Sequence, residues 1–239
     1  MKSSITTLCA LIALSAVAGR GQVVKLTPDQ AESARASAEL RRQYAASADY
    51  DPYNPDVPAI KKSCRELMKQ KAFAQAVAEA DRGLTKDRYN ISLLILRAAA
   101  YRALRNIEKA DEGRKLWRSL MDSILVSGDG KEFASAFRVI SVEEEYAVLQ
   151  VLGLNLVSQS LVERDRSEFD VMLVQDPESG KQFQLYFNID LPKKWLAAKF
   201  ANPSGPTEGS ADPKAATAGR GSAAGGKEAS SNDKPGQSH

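Results

Sequence analysis

The residues of this chain that could do chemistry are a handful of carboxylates, one glycine-rich tract and the polar side of one strand. Asp129, Glu143, Glu144, Glu145 and Asp190 are the carboxylate candidates. Two such groups in a cleft, one protonated and one ionised, suffice to hydrolyse a glycosidic bond. The placement of these five favours a structural role. Glu143 to Glu145 fall in the first turn of a helix, where the helix dipole and capping select acids regardless of function, and Asp190 closes a strand. Ser127 and Lys131 offer a serine–lysine pair only through chance proximity. Ser127-Gly128-Asp129-Gly130 is more suggestive. Its glycines would let backbone N–H groups approach an anion, and Asp129 could meet a cation, although glycine after a helix is also the ordinary stop signal. Tyr186 supplies a rigid aromatic with a polar tip, and Asn188 a paired donor and acceptor. The candidate binding residues are therefore Gly128, Asp129, Gly130, Tyr186 and Asn188, with no catalytic residue and no metal ligand assigned.

Much other chemistry is excluded by composition. The one histidine is His239, the last residue of the sequence, which removes histidine-dependent nucleophilic catalysis, histidine zinc sites and histidine proton shuttles. There are two cysteines, Cys9 and Cys64. Cys64 lies on the stripe Ile60, Cys64, Leu67, Met68, which reads as a buried thiol on an apolar helix face. No dinucleotide-binding or P-loop glycine pattern occurs, so no cofactor is expected. A formal charge of +3, evenly spread, argues against nucleic acid as a partner. A protein or small-ligand partner is expected instead, with the oligomeric state open.

The N-terminus reads as an export signal over residues 1–18. Lys2 precedes an apolar stretch from Ile5 to Val17, and Ala16-Val17-Ala18 has the small-x-small pattern of a cleavage site, giving a mature start at Gly19 in the periplasm or outside the cell. No other stretch has the length of a membrane span. Residues 202–239 contain no aromatic and no branched aliphatic residue, and so read as a disordered tail.

Between these ends the pattern predicts one α+β domain. Residues 19–56 hold a helix started by Thr27-Pro28-Asp29-Gln30 as a capping box. Leu40 and Tyr44 are its only large apolar residues, so it should dock loosely, and a turn-rich tract around Tyr50-Asp51-Pro52-Tyr53 follows. Residues 57–126 form two antiparallel helical hairpins. Phe73 and Ala76 recur 34 positions later as Ile107 and Ala110, the period of tetratricopeptide repeats. Residues 127–201 change period. A short strand at Phe137 to Ile140 precedes a helix capped by Ser141-Val142-Glu143-Glu144 and ended by Gly153. Strands at Leu154–Glu163, Phe169–Gln175 and Gln182–Asp190 then make a small antiparallel sheet, and an amphipathic helix closes the domain.

Taken in order, Tyr50-Asp51-Pro52-Tyr53, Ser127-Gly128-Asp129-Gly130, Ala136-Phe137-Arg138-Val139-Ile140, Glu144-Glu145-Tyr146, Leu152-Gly153-Leu154 and Leu185-Tyr186-Phe187-Asn188-Ile189 resemble the bacterial family known as domain of unknown function 4919. The resemblance spans about residues 44–196 and implies an exported protein without catalytic residues to carry over. The expectation for function is a non-catalytic periplasmic interaction or ligand-binding module. The alternatives are a carboxylate-dependent hydrolase of the cell envelope and a structural envelope protein.

Overall fold

The computed structural model describes residues 25–201; the expected export signal and tail lie outside them. The described chain forms α1 (Pro28–Ala45), α2 (Asp56–Lys69), α3 (Phe73–Leu84), α4 (Ile91–Ala103), α5 (Ile107–Leu125), β1 (Phe137–Arg138), α6 (Val142–Leu152), β2 (Asn155–Arg164), β3 (Ser167–Gln175), β4 (Gln182–Asn188) and α7 (Asp190–Ala201). This is the expected α+β order of helices first and sheet second.

The helical half repeats its turns. Lys71 and Arg105, 34 positions apart, both adopt left-handed backbone (φ 60° and 63°). After each, the next N–H reaches back to close the preceding helix: Ala72 to the Leu67 carbonyl at 2.9 Å and Asn106 to the Tyr101 carbonyl at 3.0 Å. Ala76 and Ala110 are both buried, as small residues must be where helices touch. Cys64 is buried against α3, and its thiol donates to the Ala76 carbonyl at 3.4 Å. Burial pushes its pKa up to about 11, so this thiol is packing rather than a reactive group. In the last turn of α3 sits Gly83, where a Cβ would lie 2.5 Å from a Leu93 methyl and 2.9 Å from an Ile60 methyl. Gly83→Ala should therefore lower stability by roughly 1–3 kcal/mol in urea unfolding, as overpacking does. An unchanged midpoint would mean that Leu93 simply rotates away.

The first helix departs from expectation. Its capping box forms: Gln30 N–H donates to Thr27 Oγ1 and Thr27 N–H to Gln30 Oε1. It does not dock loosely, however. The large apolar Leu40 is 39% exposed, while Ala34, Ser37, Arg41 and Tyr44 are buried. Small and polar residues make that face, so counting large apolar ones misjudged it.

The sheet runs β1-β4-β3-β2. The β2-β3-β4 meander is antiparallel as expected, and β1 joins it parallel to β4, pairing Phe137 with Phe187 and Arg138 with Asn188. On one face Met172, Val174, Leu185 and Phe187 enter a core shared with Leu94 of α4, Trp117, Leu120 and Ile124 of α5 and Val148 of α6. Helical and sheet halves thus close over one interior. The expected Ser141 cap does not form. Glu144, the residue that should complete it, is engaged elsewhere. Among the described residues, no helix is long and apolar enough to cross a membrane.

Candidate functional site

The Ser127–Gly130 loop is closed on itself. Asp129 and Gly130 both donate their N–H groups to the Ser135 carbonyl, at 3.0 and 2.8 Å. The Gly130 N–H, one of the donors that the sequence suggested for an anion, is therefore taken. Asp129 Oδ1 accepts from the Ser135 hydroxyl at 2.5 Å and from the Lys131 N–H at 3.1 Å. These bonds hold its carboxyl below the usual range. A Cβ on Gly128 would lie 2.1 Å from the Ser135 carbonyl oxygen, and Gly130 (φ +67°) lets the chain pass against the Phe137 ring. The glycines are needed for this close approach of protein to protein. Ser127 donates to the Ile124 carbonyl at 2.6 Å and accepts from the Arg138 N–H at 2.9 Å, so it is a linker between α5 and β1.

The loop meets the strand through its backbone: Tyr186 N–H donates to the Gly130 carbonyl at 2.9 Å. The Tyr186 ring packs edge-on against Phe133, with centroids 4.8 Å apart, and its hydroxyl donates to Gln184. Asn188 Nδ2 donates to Asp190 Oδ2 at 3.1 Å, while Asp190 Oδ1 accepts from the Glu168 N–H at 2.8 Å. Every candidate side chain in this region already has a partner within the protein.

The three consecutive glutamates have a different distribution. Successive helix positions turn by about 100°, so Glu143, Glu144 and Glu145 fan out from the first turn of α6 to three other elements. Glu143 pairs with Lys61 of α2. Glu144 takes a two-pronged bond from Arg41 of α1, at 2.7 Å to Nε and 2.6 Å to Nη2, and also accepts from the Ile140 N–H at 2.9 Å. Arg41 reaches further, to the Arg138 carbonyl and the Ser123 hydroxyl. Glu145 is 0% exposed, and its carboxyl lies beside that of Asp170. Burial, with the negative charge of neighbouring Asp170 on β3, pushes its pKa up to about 10, which leaves it protonated at neutral pH. Asp170 accepts from Gln159 Nε2 at 2.8 Å, and Gln159 Oε1 accepts from the Tyr146 hydroxyl at 3.2 Å.

A narrow crevice lies beside this hub, lined by Tyr44, Tyr50, Asp87, Tyr89, Ser141 and Glu144. Its walls are joined by the Tyr50 hydroxyl, which donates to the Ile140 carbonyl, and by edge-to-face contacts of Tyr44 with Tyr50 and Tyr89. Asp87, buried there, accepts from Asn90 at 3.0 Å. Burial pushes its carboxyl up to about 6. The sequence reading missed Arg41, Lys61, Asp87 and Asp170. Two signals were available: Ala34, Ser37, Arg41 and Tyr44 share one helical spacing, and Asp170 interrupts the apolar run from Phe169 to Val174. Among the described residues, no group of three or more acidic, histidine or cysteine side chains could hold a metal ion.

The edge strand β2 carries exposed apolar side chains. Leu161 is 59% exposed and Val157 47%, and Leu156 is partly uncovered beside them. Val157 is a bulge, after which Ser158 to Arg164 pair regularly with Leu173 to Ser167.

These features define a class: an α+β module whose helical array is fastened to a small mixed sheet through buried carboxylates, with one long strand edge left open. The chain belongs to the family described as Domain of unknown function (DUF4919), whose model matches residues 34–196. That span begins ahead of Arg41 and so includes the α1 half of the central ion pair, ten residues earlier than the sequence motifs alone had indicated. No curated protein and no solved structure matches the chain.

Proposed function

We propose that this protein is an exported, non-catalytic interaction module of the bacterial periplasm. The observation that carries the reading is the state of its carboxylates. Glu143 and Glu144 are held in ion pairs, and Glu145 is wholly enclosed. Asp129 is tied into its own loop, and Asp190 accepts from the Glu168 N–H of β3. A carboxylate-dependent hydrolase needs an acid and a base that both touch the substrate, and these five do not offer such a pair. The open surface is instead an edge strand, which binds other chains through main-chain hydrogen bonds. Export fits the Lys2 and Ile5–Val17 leader with its Ala16-Val17-Ala18 site.

The test is a screen of the purified chain against glycan, ester and peptide substrates, with Asp129→Asn, Asp170→Asn and Asp190→Asn as controls. The expected result is no turnover above background for any of the four proteins. Turnover in the parent that one amide substitution abolishes would overturn the module and establish the hydrolase.

A further inference from the structure

We propose that β2 is the seam of a homodimer, in which the edge strands of two copies pair antiparallel about Leu161 and join two four-stranded sheets into one. The inference rests on reading the chain as an interaction module, and it names the partner as a second copy of this chain.

The first ground is the edge itself. β2 is the last strand in the order β1-β4-β3-β2 and is ten residues long, with side chains exposed along nearly all of it. In an antiparallel ladder alternate residues direct their N–H and C=O groups away from the existing partner. Among the described residues, no backbone group other than those of β3 bonds to Asn155–Arg164. Such an edge is a template for another strand unless charge, proline or a bulge blocks it. Here the bulge at Val157 and the charges of Glu163 and Arg164 bracket the stretch Ser158–Val162 without interrupting it.

The second ground is self-complementarity. The regular part of the strand is Ser158 to Arg164. The antiparallel register that uses all of it places Leu161 opposite its own copy and Ser160 opposite Val162. It also sets Gln159 against Glu163 and Ser158 against Arg164. No like charges face each other, each charged residue meets a polar hydrogen-bonding one, and the most exposed leucine of the sheet meets itself on the two-fold axis. Opposed pairs of this kind are what stabilise strand association, whereas like charges there oppose it. A two-fold contact requires one surface to fit itself, and this strand meets that requirement without help from another sequence. On the same side of the sheet, Gln159 carries the bond from Tyr146, whose ring is also substantially exposed and would flank the seam. A single strand pair buries less than the roughly 800 Å² per partner of a stable interface, so the dimer should be reversible, with a Kd in the micromolar range.

Sedimentation velocity on the purified chain between about 1 and 100 µM, concentrations spanning that range, tests this. The expected result is a shift from monomer towards twice the monomer mass. Leu161→Lys should weaken dimerisation at least tenfold by setting like charges opposite each other. Its circular dichroism and thermal midpoint should match the parent, because Leu161 is exposed. Leu161→Cys should form an intermolecular disulfide on mild oxidation, since only a residue at the two-fold meets its own copy at cross-strand distance. Leu104→Cys, exposed at the end of α4, should not. A chain that stays monomeric throughout, or one that cross-links equally at both cysteines, overturns the dimer. Neither result bears on the turnover screen, so loss of the dimer and loss of the module are separate outcomes.

Discussion

Replacing Arg41 by alanine should destabilise the protein by roughly 3–5 kcal/mol, the cost of leaving a buried carboxylate without its counter-charge. Both members of the Arg41–Glu144 pair are buried. The guanidinium meets both Glu144 oxygens, the Ser123 hydroxyl and the Arg138 carbonyl, so one side chain connects α1, α5, β1 and α6. Lysine is no substitute, because a point charge cannot reproduce the fork geometry. Arg41→Lys should lose most of the same stability. The double variant Arg41→Met, Glu144→Gln should recover much of it. It removes the stranded charge and keeps an acceptor for the Ile140 N–H, and buried ion pairs often gain little over a neutral replacement. Urea unfolding of the four proteins reads this directly. A loss below ~1 kcal/mol in Arg41→Ala would mean that water reaches Glu144 and that α1 is not anchored through it.

The same residues show what could be read from the sequence and what could not. The elements were legible because each is written locally. Thr27 and Gln30 close their capping box, Gly153 ends α6 in the left-handed region, and Phe183, Leu185, Phe187 and Ile189 alternate towards the core. The 34-residue recurrence of Ala76 and Ala110 corresponds to two equivalent helix turns. What could not be read were partners chosen across long separations. Arg41 and Glu144 lie 103 positions apart and Lys61 and Glu143 82 apart, and nothing local distinguishes a buried arginine from a solvated one. The partners of the Ser127–Gly130 tract could not be read for a related reason. Glycines that admit a ligand and glycines that admit a neighbouring strand look alike in sequence, and only the Ser135 carbonyl decides between them. Ser141 illustrates the limit of motifs: the residues of a capping box are present, but Arg41 and Ile140 hold Glu144 away from it.

Stability should fall as pH rises through neutrality, and Glu145→Gln should abolish most of that fall. Glu145 keeps its proton in the folded protein up to about 10, whereas the unfolded chain releases it at the ordinary 4.5. Between those values the unfolded state binds fewer protons than the native one. The sign is then fixed: the stability is fully present below about 4.5 and is lost progressively as pH climbs towards 10. Asp87, raised to about 6 from 3.8, contributes in the same direction but only below pH 6. With one proton at stake the slope is at most about 1.4 kcal/mol per pH unit, on the order of 4 kcal/mol between pH 5 and 8 as an upper bound. Glutamine resembles the protonated carboxyl in shape and carries no charge at any pH. The variant should match or exceed the parent at pH 8, with little dependence above pH 6, because the charge of Asp170 no longer faces an ionising neighbour. The measurement is unfolding free energy in urea at pH 5, 6, 7, 8 and 9 for both proteins. Parallel pH profiles would mean that Glu145 ionises normally in the folded state and that the interior around α6 and β3 is open to water.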